Sequence, residues 1–273
     1  MTSISAGRRH SVACRADGTV LAVGNGTAGE TAVGAWADVV SVAAGCVHTA
    51  RNTGRTHTVG LRRDGSVVAT GWNGDGQCEV GGWRGVTAVA AGWRHTLGLA
   101  GDGSVAAAGR TGEGQCDVAG WRDVVAVACG DWHSVGVTSK GRVVAVGNDQ
   151  HGQCRVEAWE GVVSVSAGYL HTVGLLGDGT VVATGRGEAC RVGGWAGVTG
   201  VSAGSHHTVG VLDDGRVVAT GDDTDGQCHV SSWTDVVAVA AGSLHTLGLR
   251  SDGTVLATGC NDDGQCDVAT WRL

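Results

Sequence analysis

Apolar residues come in short runs along this chain, none of them a stripe long enough for a helix. Residues 86–118 show the pattern. Val86–Ala91 is a run of β-branched and small residues, and His95–Leu99 alternates. Asp102-Gly103 interrupts, Ser104–Ala108 is again small and apolar, and the Gly-rich stretch 110–114 leads into Gln115-Cys116-Asp117-Val118. Short runs bounded by glycine and aspartate read as strands. The stretch therefore predicts four strands. Asp102-Gly103 predicts a two-residue hairpin turn of type I′, which needs positive φ at its central residues and so favours glycine.

The pattern recurs through the whole chain. An Ala-Gly-x-x-His-Thr element returns at His10, His57, His95, His133, His171, His207 and His245. A tryptophan marks the other half of each unit, at Trp36, Trp83, Trp121, Trp159, Trp195, Trp233 and Trp271. Both series step by 38 residues, apart from one gap of 47 and one of 36, so seven units account for all 273 residues. From Trp121 to Gly130 is nine steps, and so is the path from Trp271 through Leu273 and Met1 to Gly7. An open solenoid carries atypical polar end units. Termini that meet in register predict a closed ring. The expected fold is all-β: a seven-bladed β-propeller of four short antiparallel strands per blade, one domain over residues 1–273.

The motif Val86, Val89, Ala90, Ala91, Gly92, His95, Thr96, Asp102, Gly103, Val105, Gly109, Gly114 and Gln115 resembles the repeat of the regulator of chromosome condensation (RCC1) family. The resemblance covers the chain in seven copies. It implies the propeller fold and leaves function open, because family members include nucleotide-exchange factors, a plant ultraviolet photoreceptor and a bacterial secreted inhibitor of β-lactamases. The compact repeat is closest in style to that bacterial type. It departs from the family by placing Cys after Gly-Gln and Trp where proline-containing connectors are expected. No insertion suited to acting as a wedge on a GTPase is visible.

Composition narrows the classes further. There are 50 glycines but no proline, which excludes collagen, and 42% hydrophobic against 16% charged residues excludes disorder. A net charge of −7 argues against nucleic acid as the main partner. No apolar run reaches membrane-spanning length, and Met1–His10 has no apolar signal region, so no membrane association is expected. Lys140 is the sole lysine, a bias expected of a GC-rich bacterial genome. Six of the ten cysteines stand five residues before a repeat tryptophan, one per unit, too far apart for disulfides. In a Gln-Cys-x-Val strand such a cysteine shares a face with the valine and reads as a small core residue. Free thiols suit a reducing cytoplasm. No metal and no cofactor are expected: Asp222-Asp223-Thr224-Asp225-Gly226 faintly resembles a calcium loop, but its spacing is wrong. The seven histidines read as structural, each His-Thr pair tying its turn to the backbone.

What differs between units carries the functional signal. Strands alternate in direction, so the Ala-Gly-x-x-His turns and the loops before Gly-Gln share one face, while Asp-Gly hairpins and tryptophan connectors share the other. Nearly all variation falls on the first face. Trp72, Trp93, Trp132 and Tyr169 come from four successive units there, forming an exposed aromatic arc flanked by Arg51, Arg55 and Arg94, with Asp131 beside it. Large aromatics with arginine are the composition of interaction hot spots. The expected function is a monomeric, non-enzymatic module that binds a protein or peptide. The alternatives are an enzyme with a pocket at the mouth of the central channel, using Asp131, His206 or Asp223, and a photoreceptor-like module. The latter rests on the single Gly92-Trp93-Arg94-His95-Thr96 segment.

Overall fold

The computed structural model describes residues 3–46 and 55–273. Over these residues the chain forms seven three-stranded antiparallel sheets, one per unit. In the third unit the strands are Val86–Ala91, His95–Ala100 and Val105–Gly109, paired in chain order. The first sheet, Ser3–Ala6 with His10–Cys14 and Val20–Gly24, is complete within itself. It also packs against the last: Ser3–Ala6 contacts both Val236–Ala241 and His245–Arg250. At the same junction Ser243 N–H donates to Gly7 O at 3.1 Å. The first and last sheets thus pack and bond to each other as neighbouring units do.

Among the described residues the expected fourth strand is absent. Gln115–Val118 is instead a succession of tight turns, with Asp117 N–H bonded to Gly114 O and Val118 N–H to Cys116 O. Side chains of this segment do the work that ladder hydrogen bonds would do in a strand. The buried Gln115 Oε1 accepts from Glu113 N–H, and the Cys116 thiol donates to Arg110 O at 3.0 Å. Cys78, Cys154, Cys190, Cys228 and Cys266 likewise reach the carbonyl six residues back. The repeat cysteines are therefore half-buried turn ties and not core residues of a strand. No disulfide joins any two of the described cysteines.

The hairpin turn also differs from expectation. Gly103 has φ +80°, but Asp102 does not share the positive φ that a type I′ turn needs. Gly103 N–H bonds to Ala100 O, and Ala100 N–H to Ser104 O. This is a three-residue loop ending in a left-handed glycine, the type I turn with a G1 bulge. Asp102 Oδ1 accepts from both the N–H and the hydroxyl of Ser104 and so fixes the turn.

Two devices join one sheet to the next. Each connector tryptophan lies across the middle of a strand: Trp121 covers Gly136, where a Cβ would stand 2.9 Å from the ring. It belongs to an apolar cluster with Leu97, Leu99, Val105 and Val118. On the inner side, the histidines and hydroxyls form a continuous belt. His57 Nε2 bonds Thr96 Oγ1 at 2.8 Å, and Thr96 Oγ1–H donates to Gln77 O. The histidines therefore join neighbouring units rather than fasten their own turns.

Candidate functional site

The variable face is built from paired loops. In the third unit, Arg110 N–H donates to Arg94 O at 2.8 Å, holding the loop before Gly-Gln beside the Ala-Gly-x-x-His turn. The same bond recurs between Asn148 and Trp132, Asp222 and His206, and Cys260 and Leu244. The two residues between glycine and histidine then have different surroundings. The first of each pair converges on the axis, and Arg8, Trp93, Asp131, Ser205 and Ser243 are buried there. The Cys46 thiol of the second unit lies 3.6 Å from the hydroxyls of both Ser205 and Ser243, in the sixth and seventh. Burial, and after it the charge of Arg9, pulls the Arg8 guanidinium below its usual range, while Asp131 and Asp263 act against this. The second of each pair lies further out and is half-buried or exposed, as at Arg9, Arg94, Trp132, Leu170 and His206.

Part of the arc is a stacked unit. The Arg94 guanidinium carbon sits 4.6 Å from the centre of the Trp72 ring and 4.2 Å from that of Trp93. Trp93 and Trp132 meet edge to face at 4.5 Å. Arg110 lies 5.4 Å from the Trp132 ring and 6.0 Å from the Trp93 ring. Both cations are held by carboxylates, Arg94 by Asp75 at 3.3 Å and Arg110 by Glu113 at 2.8 Å. The Glu113 pair holds the arginine pKa above its ordinary value and the carboxyl below its own. Cations over indole faces at these distances attract the ring quadrupole.

Several expectations need correcting. Trp93 is only 6% exposed, so it is the buried centre of the stack and not part of an exposed arc. Trp72 and Trp132 flank it, half-buried. Tyr169 is half-buried, and its ring stands edge to face with that of His206 in the sixth unit at 5.3 Å. Arg55 is exposed, and Arg51 lies outside the described residues. Asp131 belongs to the buried inner set, whereas Asp223 sits on an outer loop, 3.1 Å from His229. In the calcium-like segment the carboxylates serve their own loop: Asp222 accepts from Thr224, and Asp223 from Cys228 N–H. Among the described residues no group of three histidine, cysteine, aspartate or glutamate side chains is placed to share a metal ion.

Sequence reasoning missed Arg110, Asp75 and Glu113. The available signal was positional, because Arg110 occupies the loop position that Trp72 holds one unit earlier. It also missed a cleft of about 520 Å³ between the fifth and sixth units, lined by Arg186, Glu188, His206 and Asp222. The signal there was the two-residue deletion, which shortens the loop to a single 3₁₀ turn, Glu188–Cys190.

Fold and site together define a seven-unit ring of β-sheets with one constant and one variable face. The chain matches the regulator of chromosome condensation (RCC1) repeat over residues 1–30, 52–77, 86–115, 124–153, 162–189, 198–227 and 236–265, and it belongs to that family. Among curated proteins no match is found. Solved structures share the fold at low identity. Prp20p of Saccharomyces cerevisiae, studied for its binding to Gsp1p and histones, is 18% identical with a TM-score of 0.66, covering 95% of this chain and 83% of that one. The ectodomain of the receptor kinase CR4 of Physcomitrella patens is 22% identical with a TM-score of 0.71, covering 94% and 72%. Human WBSCR16 is 16% identical with a TM-score of 0.70, covering 91% and 86%.

Proposed function

We propose that this chain is a non-enzymatic module that binds a protein or peptide segment on its variable face, at the stack formed by Trp72, Arg94, Trp93, Arg110 and Trp132. The observation that carries the reading is the stack itself. None of these residues belongs to the repeat template, yet together they fix two arginines over indole rings. Tryptophan and arginine are among the residues that dominate binding energy at interfaces. Similar propellers support a protein partner: Prp20p binds Gsp1p and histones and has been solved in complex with Kap60. The buried Trp93 supports the surface from beneath, while Trp132, Arg94 and Trp72 make the contact. We further propose that the module works as a monomer in a reducing compartment, the bacterial cytoplasm, which cysteines without disulfides suit.

The test is affinity capture from the source organism with the wild-type chain and with the Trp132→Ala/Arg94→Ala double variant. A specific partner should be retained by the wild type and lost from the double variant, with an affinity loss of about 2 kcal/mol or more for Trp132→Ala alone. Equal retention of every partner by both proteins sinks the reading.

A further inference from the structure

The seven repeat histidines form one hydrogen-bonded belt that runs around the ring and closes on itself. Nε2 of each histidine meets the hydroxyl of the next unit: His10 to Thr58 at 2.9 Å, His95 to Ser134 at 3.0 Å, and His171 to Thr208 at 3.1 Å. The last step joins the two ends of the chain, His245 to Ser11 at 2.9 Å. Every hydroxyl proton is already committed. Thr58 donates to Glu30 O, Ser134 to Gln115 O and Ser11 to Gln265 O. A hydroxyl has one proton to give, so it must accept from the imidazole. Each belt histidine is therefore the neutral Nε2–H tautomer, with a bare lone pair on Nδ1. That Nδ1 is buried without a hydrogen-bond partner at His10, His57, His95, His133, His207 and His245. A second proton would place a charge and a donor at a buried nitrogen that no protein acceptor meets.

We propose that this belt is an acid-released clasp: it holds the seven sheets together while its imidazoles are neutral and lets them go in one cooperative step on mild acidification. Burial holds these histidines well below their ordinary value, to about 4 at His10 and His95 and to about 3 at His57, His133, His171, His207 and His245. Among the described residues, few charged and titratable groups face them. Belt neighbours face one another and oppose protonation, as His95 and His10 do at His57, and His206 adds to this at His171 and His207. Glu113 at His95, and Asp222 and Asp223 at His207, favour the charged form but are outweighed by burial.

The sign follows from linkage. An unfolded histidine takes up a proton below about pH 6.5, whereas a belt histidine stays neutral until about pH 3–4. The belt's contribution to stability is thus complete above pH 6.5 and is lost as pH falls below it. Seven such groups act in the same direction. Near pH 5.5, where unfolded histidines are about nine-tenths protonated and unfolded carboxylates still ionised, unfolding should take up about six protons from the belt alone.

Urea unfolding of the full chain at closely spaced pH values between 7 and 5 tests this. The logarithm of the unfolding constant should rise by about six for each unit by which pH falls near pH 5.5. The belt Cε1–H resonances of the folded protein should show no titration above pH 5. In His133→Gln, where the amide can still donate to Thr172, the slope should fall by about one proton. A wild-type slope of two or less overturns the proposal, and so do belt resonances that titrate near pH 6.5 in the folded ring. None of these readouts involves a binding partner, so failure here is distinct from failure of the binding reading.

Discussion

Trp121 and Trp93 are buried to almost the same degree, 7% and 6% exposed, yet they sit in different chemistry. Trp121, a connector residue, is surrounded by Leu97, Leu99, Val105, Val118 and Val124, and its ring presses on the bare backbone of Gly136. Trp93, on the variable face, has an arginine over its ring and Trp132 at its edge. One is part of a hydrophobic core repeated once per unit. The other is part of a polar-aromatic stack that occurs once. Burial alone does not make a residue core; the polarity and mobility of its neighbours decide what its removal costs.

Truncating the connector should have the largest effect. Trp121→Ala empties a site walled by branched side chains and a strand that cannot close in, and should cost about 3–5 kcal/mol in urea unfolding. Trp93→Ala should cost less, about 2–3 kcal/mol, because the arginines above it are long and can fold into the space. Equal losses would erase the distinction and make the stack an ordinary core. Gly136→Ala approaches the connector from the other side. The added methyl would stand 2.9 Å from the Trp121 ring, and overpacking of this kind costs about 1–3 kcal/mol. A neutral Gly136→Ala would mean that the connector ring is free to shift. The first unit already holds that variant naturally: Ala13 occupies the position of Gly136 and packs with Trp271 in one cluster. The junction of the first and last units thus tolerates a methyl group at this position.

Much of the ring was legible in the sequence, because repetition reveals what a single copy leaves ambiguous. Unit length follows from the spacing of His and Trp, and the division into two faces from the alternation of strand direction. The fourth strand misled because Gln115-Cys116-Asp117-Val118 alternates as a strand does. The side chains of Gln115 and Cys116 tie the segment into turns, and alternation carries no trace of that. The hairpin type was misread because Asp-Gly serves both a two-residue turn and a three-residue turn with a bulge. Trp93 was placed at the surface because it is absent from the template, and variability was taken as exposure. The first residue after Ala-Gly is buried in five units, and Cys46 there meets Ser205 and Ser243 of the sixth and seventh units, a convergence that spacing along the chain does not show.

Arg94 gives the smallest and most discriminating effect. Its guanidinium lies between two indole rings, at 4.6 Å and 4.2 Å, with Asp75 fixing one end. A planar cation can present a face to each ring at once, which the compact ammonium of lysine cannot. Partly shielded cation–π contacts contribute about 0.5–2 kcal/mol, so Arg94→Ala should lower stability by about 1 kcal/mol. Arg94→Lys should recover less than half of that in urea unfolding. The Trp93–Trp132 contact does not involve Arg94, so its near-ultraviolet circular dichroism should survive both changes. If Arg94→Lys is as stable as the wild type, the charge alone matters and the stacked geometry has no energetic role. If Arg94→Ala instead costs as much as Trp121→Ala, the arginine is structural and the two faces of the ring are held in the same way.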